Sequence, residues 1–279
     1  MKKLSPLASS LLAMARQAPA DLNTRCMDEE QLLAVGVEHG VKLREVEAAA
    51  LDAGLVPERY RRNIAGISME EQATLLRSRV AVAGLGGLGG YVVEFLARAG
   101  VGYIRAADGD HFDRSNLNRQ LLCTSETIGQ KKAAATADRV RVVNPAVEFV
   151  VREEMLDADG FVALLEDVDL VVDALGGIAV RRVLQEAAAR QNLPLVTGAV
   201  AGWTALAATV LPGDTRPEAL WQGGQGAEEE LGCLAPVIGT CASLQCAEVI
   251  HLLAGRSPRL APRLLAVDLL HFSFDFFTL

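Results

Sequence analysis

The residues with the clearest chemical potential lie between Val80 and Lys132. Gly84, Gly86 and Gly89 fit the spacing G-x-G-x-x-G, directly after the apolar run RVAVA and directly before a helix-forming segment. Glycine there permits a tight turn, lets a phosphate approach the backbone and lets the helix pack close to the strand. The free N–H groups of the helix start then face an anion. Asp108 stands 24 residues beyond Gly84, at the end of the next expected strand, where a carboxylate accepts hydrogen bonds from ribose hydroxyls. These features suit a nicotinamide dinucleotide and ATP equally. The next segment separates the two. DGDHFDRSNLNRQ sets Asp110, Asn116, Arg119 and Gln120 just past Asp108, and IGQKK sets Lys131 and Lys132 at the head of another helix. A guanidinium and an ammonium converging on a nucleotide stabilise a triphosphate and the charge built up in adenylyl transfer. Hydride transfer has no need of them, and no residue positioned for its proton transfer stands out. A triphosphate site is expected, with a dehydrogenase last among the alternatives.

The elements around these residues predict an α/β fold. RVAVAG, GYIRAAD, VEFVV, DLVVDA and LPLVTGA read as strands, with helices through Leu96, over TIGQKKAAATADRVRVVN, and near 158–166 and 179–190. Strands alternating with helices imply parallel βαβ units and a Rossmann-like, doubly wound, mostly parallel sheet. TALAATVLPGD follows with no helix between, so the sheet is expected to turn antiparallel there. GTCASLQCAEVIHLLAG is an amphipathic helix, and RLLAVDLLHFSFDFFTL supplies one or two edge strands. Residues 1–57 read as a helical N-terminal extension, with MDEEQLLAVGVEHG and LREVEAAALDAGLVP as helices; residues 58–279 form the nucleotide-binding domain. Two helices about a glycine turn invite comparison with a DNA reader, but the basic residues are few.

Composition narrows the class. Hydrophobic residues make up 51% and charged residues 22%, enough for a large core and too apolar for global disorder. The formal charge of −8 disfavours nucleic acid, which needs a basic footprint. The apolar start is broken by Pro6, Ser9 and Ser10, so an N-terminal helix is favoured over a signal peptide, and no uncharged run approaches a membrane span. The five cysteines are odd in number and include no CxxC, which predicts neither a disulfide framework nor a zinc site and favours a cytoplasmic setting.

RYRRN (59–63), VAVAGLGGLGG, DGDHFDRSNLNRQ, IGQKKA, NP and LAPVIGTCASLQCAEVIHLLAG occur in an order that resembles the ThiF/MoeB/HesA family, bacterial relatives of ubiquitin-activating enzymes. The resemblance runs from residue 58 to about 270. It implies adenylation of the C-terminal glycine carboxylate of a small ubiquitin-like sulfur-carrier protein ending in Gly-Gly, with ATP and Mg²⁺ consumed. By position it implies that Gly84, Gly86 and Gly89 line the nucleotide and that Asp108 holds the ribose. Asn116, Arg119 and Lys132 would contact the phosphates, with Asp110, Gln120 and Asp173 beside them. Arg62 matches the arginine inserted from the partner subunit, which implies a homodimer with composite sites.

Two departures stand out. Where the family has a magnesium-binding aspartate in D-x-x-D-N, this chain reads DALGGIAVRR: Asp173 matches the first aspartate and Gly176 the magnesium position, so the metal site is left open, with Asp110 or Asp173, through a water between, as the substitutes. The paired CxxC motifs of zinc-binding relatives are missing; Cys233, Cys241 and Cys246 have other spacings, and Cys233 is the one thiol near a nucleophile's position. Residues 212–232, with Trp203, Trp221 and the glutamates at 228–230, are expected to be either a groove for a partner's tail or an ordinary loop. Competing readings are a weakened nucleotide-binding module whose extension recruits a partner, and an enzyme that activates a carboxylate on modified tRNA.

Overall fold

The structure, a computed structural model, describes residues 6–15, 20–21, 24–214 and 227–279. The chain begins with α1 (Pro6–Ala15), β1 (Ala20–Asp21), β2 (Thr24–Met27), α2 (Glu29–His39), α3 (Leu43–Asp52) and β3 (Leu55–Pro57). Asp28 and Gln31 form a reciprocal cap at the start of α2, and Gly40 ends it in the left-handed region at φ 66°. The three strands make a small sheet, β1–β2 antiparallel and β2–β3 parallel. These strands are absent from the sequence expectation of a purely helical extension: they span two to four residues, too few for period-two alternation to be seen. Leu11, Met27, Leu32, Val35, Val46 and Leu55 form the extension's own core. A second cluster, Ala48, Leu51, Val56, Tyr60, Ala73 and Leu76, joins it to α4 (Met69–Arg77).

The main body alternates as predicted: β4 (Arg79–Ala83), α5 (Gly87–Ala99), β5 (Tyr103–Ala107), α6 (Lys132–Val143), β6 (Glu148–Arg152), α7 (Ala158–Leu164), β7 (Leu170–Asp173), α8 (Ile178–Arg190), β8 (Leu195–Ala201) and β9 (Thr204–Val210). A short α9 (Glu228–Leu231), α10 (Ala235–Leu253), β10 (Arg263–Asp268) and β11 (Ser273–Thr278) complete it. The eight-stranded sheet has the order β11-β10-β9-β8-β7-β4-β5-β6. The five strands from β8 to β6 are parallel, and β9, β10 and β11 run antiparallel. Alternate residues of β4 serve the two faces: Val80 and Val82 enter the core shared with α5 and α10, whereas Ala81 and Ala83 pack toward α7 and α8.

One boundary matters for the site. The helix expected from Thr127 starts instead at Lys132. Thr124 and Thr127 bond within a turn ahead of it, and Gly129 takes φ 81°, so the chain reaches the helix from the direction of Asp110. α10 is apolar and 19 residues long, and it packs as a core helix with Val237, Ile238, Cys241, Cys246 and Val249 buried.

The topology creates a crevice. From β4 the chain winds outward through β5 to β6, then crosses to β7 on the other side of β4. The loops after β4 and β7 therefore diverge to opposite faces at neighbouring strand ends, the place where open α/β sheets hold ligands.

Candidate active site

A cavity of 650 Å³ occupies that crevice. Its first wall is the turn from β4 into α5. Gly84 has φ 89°, and a Cβ there would lie 2.8 Å from the Ala174 carbonyl oxygen, so only glycine serves. A Cβ on Gly89 would collide with the Gly84 carbonyl; this glycine lets α5 pack against the turn and does not line the cavity. Gly86 caps α5 without a side chain, which leaves the helix start to the cavity that Gly86 and Gly87 line. Asp108 fixes the turn: its Oδ2 accepts from the Leu85 N–H at 2.7 Å and its Oδ1 from the Asp110 N–H at 2.8 Å.

The cations of this wall are Lys132 and Arg119, both lining the cavity. Lys132 is 7% exposed, and its Nζ donates to Asp110 Oδ2 at 3.0 Å. Arg119 is steadied by the Ser115 carbonyl at 2.7 Å and by Asn118 Oδ1 at 2.9 Å. Gln120 lies over Gly86, buried, with an Oε1 that has no partner. Asn116 does not line the cavity; its Oδ1 accepts from the Asp113 N–H and closes the short turn that carries Arg119.

The second wall leaves β7. Asp173 is fully buried and off the cavity lining. Its Oδ2 accepts from Thr197 Oγ1 at 2.8 Å and from Arg181 Nη1 at 3.2 Å, and its Oδ1 from the Leu175 N–H at 3.1 Å. Arg181, on the first turns of α8, is 5% exposed, lines the cavity and also donates to the Leu175 carbonyl. Sequence reasoning missed this residue. Its signal was an arginine on the helix that follows the strand-end aspartate, within the segment DALGGIAVRR. Gly176 and Gly177 line the cavity, and a Cβ at either would meet nothing within 4 Å.

Arg62 lies elsewhere. Tyr60, two residues before it, packs beneath Gly100 and is hydrogen-bonded by Asn144, at the ends of α5 and α6, whereas the cavity lies at their beginnings. Arg62 is exposed and does not line the cavity of its own chain. At the far side of the cavity stand Ala199, Ala201, Thr204, Glu228 and Cys233. Burial pushes the Cys233 thiol above its usual range, with Arg119 opposing and Glu228 adding to the shift. Burial pushes Cys241 up to about 12, and Cys246 further still. Trp203 is exposed on the β8–β9 turn; Trp221 lies outside the described residues. Among the described residues, no cluster of three or more His, Cys, Asp or Glu side chains is arranged to hold a metal.

This geometry suits a nucleotide: two uncapped helix starts, a carboxylate at the strand end and three cations around one crevice. Comparison with known proteins agrees. The ThiF family model matches residues 60–279. The molybdopterin-synthase adenylyltransferase of Escherichia coli (strain K12) is 35% identical over 204 residues, covering 71% of this chain and 82% of that protein. The SAMP-activating enzyme E1 of Haloferax volcanii is 33% identical over 225 residues, covering 78% and 83%. Among solved structures, the microcin C7 biosynthetic enzyme MccB in complex with N-formylated MccA has a TM-score of 0.70 at 19% identity, covering 98% of this chain and 87% of that one, a likeness of fold. Since the family model spans well over half of the chain, from residue 60 to residue 279, the chain belongs to the ThiF family.

Proposed function

We propose that this chain is an ATP-dependent adenylyltransferase that activates the C-terminal glycine carboxylate of a small ubiquitin-like sulfur carrier. The observation that carries the reading is the convergence of Arg119, Lys132, Arg181 and the α5 start on one cavity beside Asp108. A carboxylate is a poor electrophile. Its oxygen attacks the α-phosphorus of ATP, pyrophosphate leaves, and the resulting mixed anhydride is open to attack by sulfur. The protein's part is to align the two reactants and neutralise charge. Asp108 accepts from the ribose, the glycine turn admits the phosphates, and Lys132 exchanges Asp110 for a phosphate oxygen. The small residues Ala199 and Ala201 leave room for a tail without side chains.

Arg62 joins the site only from a second copy, and a homodimer with composite sites is part of the proposal. A cytoplasmic, zinc-free enzyme completes it: Cys241 and Cys246 are buried, protonated thiols. The residues do not fit a dedicated magnesium site. Gly176 supplies no oxygen ligand, Asp173 is consumed by Arg181 and Thr197, and Asp110 is paired with Lys132. Asp173, buried off the cavity, is therefore withdrawn as a substitute for the missing aspartate even through water, and Asp110 could serve only by giving up Lys132. The wild-type chain is tested by pyrophosphate exchange with carriers ending in Gly-Gly. Exchange that needs the carrier's last glycine is expected. ATP binding without exchange, for any carrier at any magnesium level, would leave the second reading, a nucleotide-binding module, which Gly176 favours.

A further inference from the structure

The second wall of the cavity carries positive charge where the family resemblance places a metal-binding carboxylate. Three observations establish this. Of the buried Asp173–Arg181 pair, only Arg181 lines the cavity, so the pair turns its cationic member toward whatever enters. Asp173 sits behind it, fully buried, with three hydrogen bonds that hold it there. Helix α8 then starts at Ile178 behind Gly177, which has φ 82° and offers no side-chain cap, and Gly176, Gly177 and Ile178 all line the cavity. An uncapped helix start is a site of partial positive charge with free N–H donors.

Steric need does not explain Gly176. Nothing lies within 4 Å of a Cβ built there. A Cβ is therefore admitted, and an aspartate there would bring a carboxylate to the cavity wall one residue before the Gly177 cap of α8. Of the other carboxylates that line the cavity, both oxygens of Asp108 accept backbone N–H groups, Asp110 pairs with Lys132, and Glu154 pairs with Arg152; Glu228 stands beside Cys233 at the far side. Magnesium is ordinarily held by one or two carboxylates together with phosphates.

We infer that this wall takes the nucleotide's phosphate charge directly, through Arg181 and the N–H groups at the start of α8, and that the chain holds ATP without a protein-bound metal ion. The inference rests on the adenylyltransferase reading and deepens it. Metal-free ATP carries four negative charges. Arg119 and Lys132 meet it from the β4 side and Arg181 from the β7 side, so the charge is shared across the crevice. In this arrangement Gly176 keeps a negative charge away from the phosphates.

The test is the dissociation constant of ATP for the full chain, by calorimetry, in EDTA and in saturating magnesium. The wild-type values are expected to differ by less than tenfold. Gly176→Asp is expected to weaken binding in EDTA tenfold or more, with magnesium restoring it. Arg181→Lys keeps a charge beside Asp173 but loses the forked guanidinium, and is expected to weaken binding in EDTA tenfold or more at an unchanged melting temperature. A tenfold or greater loss in EDTA by the wild type would overturn the inference, as would a Gly176→Asp chain with unaltered metal dependence. A smaller effect of Arg181→Lys would remove Arg181 from it. If Arg181→Lys does not fold, Gly176→Asp, which meets no neighbour, still decides. Failure of the wild type to bind ATP under both conditions would instead overturn the nucleotide reading, and this inference with it.

Discussion

Two turns leave neighbouring strands at the same end of the sheet, one after β4 and one after β7. Both are rich in glycine and both open a helix, yet their glycines exist for different reasons. After β4 they are steric: Gly84 lies against the Ala174 carbonyl and Gly89 against Gly84. After β7 they are not: Gly177, at φ 82°, is set by its backbone, and Gly176 has open space around it, so that, on the inference of metal-free ATP binding, what matters there is the carboxylate it does not carry. The charged groups differ in the same sense. Lys132 holds an exposed partner, Asp110, that a phosphate can replace, whereas Arg181 is locked to a buried Asp173. A glycine turn thus tells little about chemistry until its neighbours are known.

The largest expected effect breaks the second wall. Asp173→Ala leaves Arg181 buried without its counter-charge, and breaking such a pair costs about 3–5 kcal/mol. Denaturant unfolding should show it, and Asp173→Asn, which keeps a hydrogen-bond acceptor, should cost less. On the first wall the damage falls on rate instead. Lys132→Ala is expected to lower adenylation about 10²–10³-fold, equivalent to about 3–4 kcal/mol of transition-state stabilisation. The fold should survive. An inactive chain with an unchanged melting temperature at Lys132, beside an unstable one at Asp173, would confirm the contrast. Two equally unstable chains would erase it.

The glycines give a smaller and cleaner test. Gly89→Ala forces a methyl into backbone and is expected to cost about 2–3 kcal/mol. Gly176→Ala meets nothing and should stay within about 0.5 kcal/mol. Equal costs at the two positions would mean that the second turn is as tightly packed as the first.

The same distinction governs what the sequence disclosed. The steric turn was legible because its spacing is fixed by geometry that recurs wherever a strand, a turn and a helix meet a phosphate. Gly84, Gly86 and Asp108 were found through it, and Arg119 and Lys132 through the two segments that follow; all five line the cavity. The alternation of strands and helices was legible for a similar reason, since each strand is a short β-branched run with a helix behind it. Arg181 was not, because it is paired with a buried Asp173 that is also held by Thr197 on β8, 24 residues beyond, a contact that no local pattern announces. The family resemblance implied Asn116 as a phosphate contact, and in the structure its side chain closes the turn that carries Arg119, off the cavity lining. The three-stranded sheet of the extension escaped because strands of two to four residues carry no period. Arg62 remains readable only through its motif, since its own chain does not bring it to the cavity.

A second buried acid–arginine contact sharpens the comparison from outside the site, with the smallest expected effect. Glu47 of α3 is fully buried, 3.2 Å from Arg59, and accepts from the Tyr60 hydroxyl at 3.1 Å. Unlike Asp173, it keeps an oxygen, Oε1, without a hydrogen-bond partner. Burial outweighs Arg59 and Tyr60 and raises its pKa from 4.5 to about 7. Below pH 4.5 the carboxyl is protonated in both folded and unfolded chains, and its contribution to stability is fully present. Between 4.5 and about 7 the unfolded chain releases the proton first, so stability falls as pH rises, and above that range it levels off. Glu47→Gln mimics the protonated form and keeps an acceptor for Tyr60. It is expected to flatten that slope, to differ from the wild type by no more than about 1 kcal/mol at pH 4.5, where the wild-type carboxyl is neutral, and to be the more stable chain at pH 7. Urea unfolding at intervals from pH 4.5 to 8 measures both. An unchanged slope in the variant would show that Glu47 is ionised in the folded chain throughout that range.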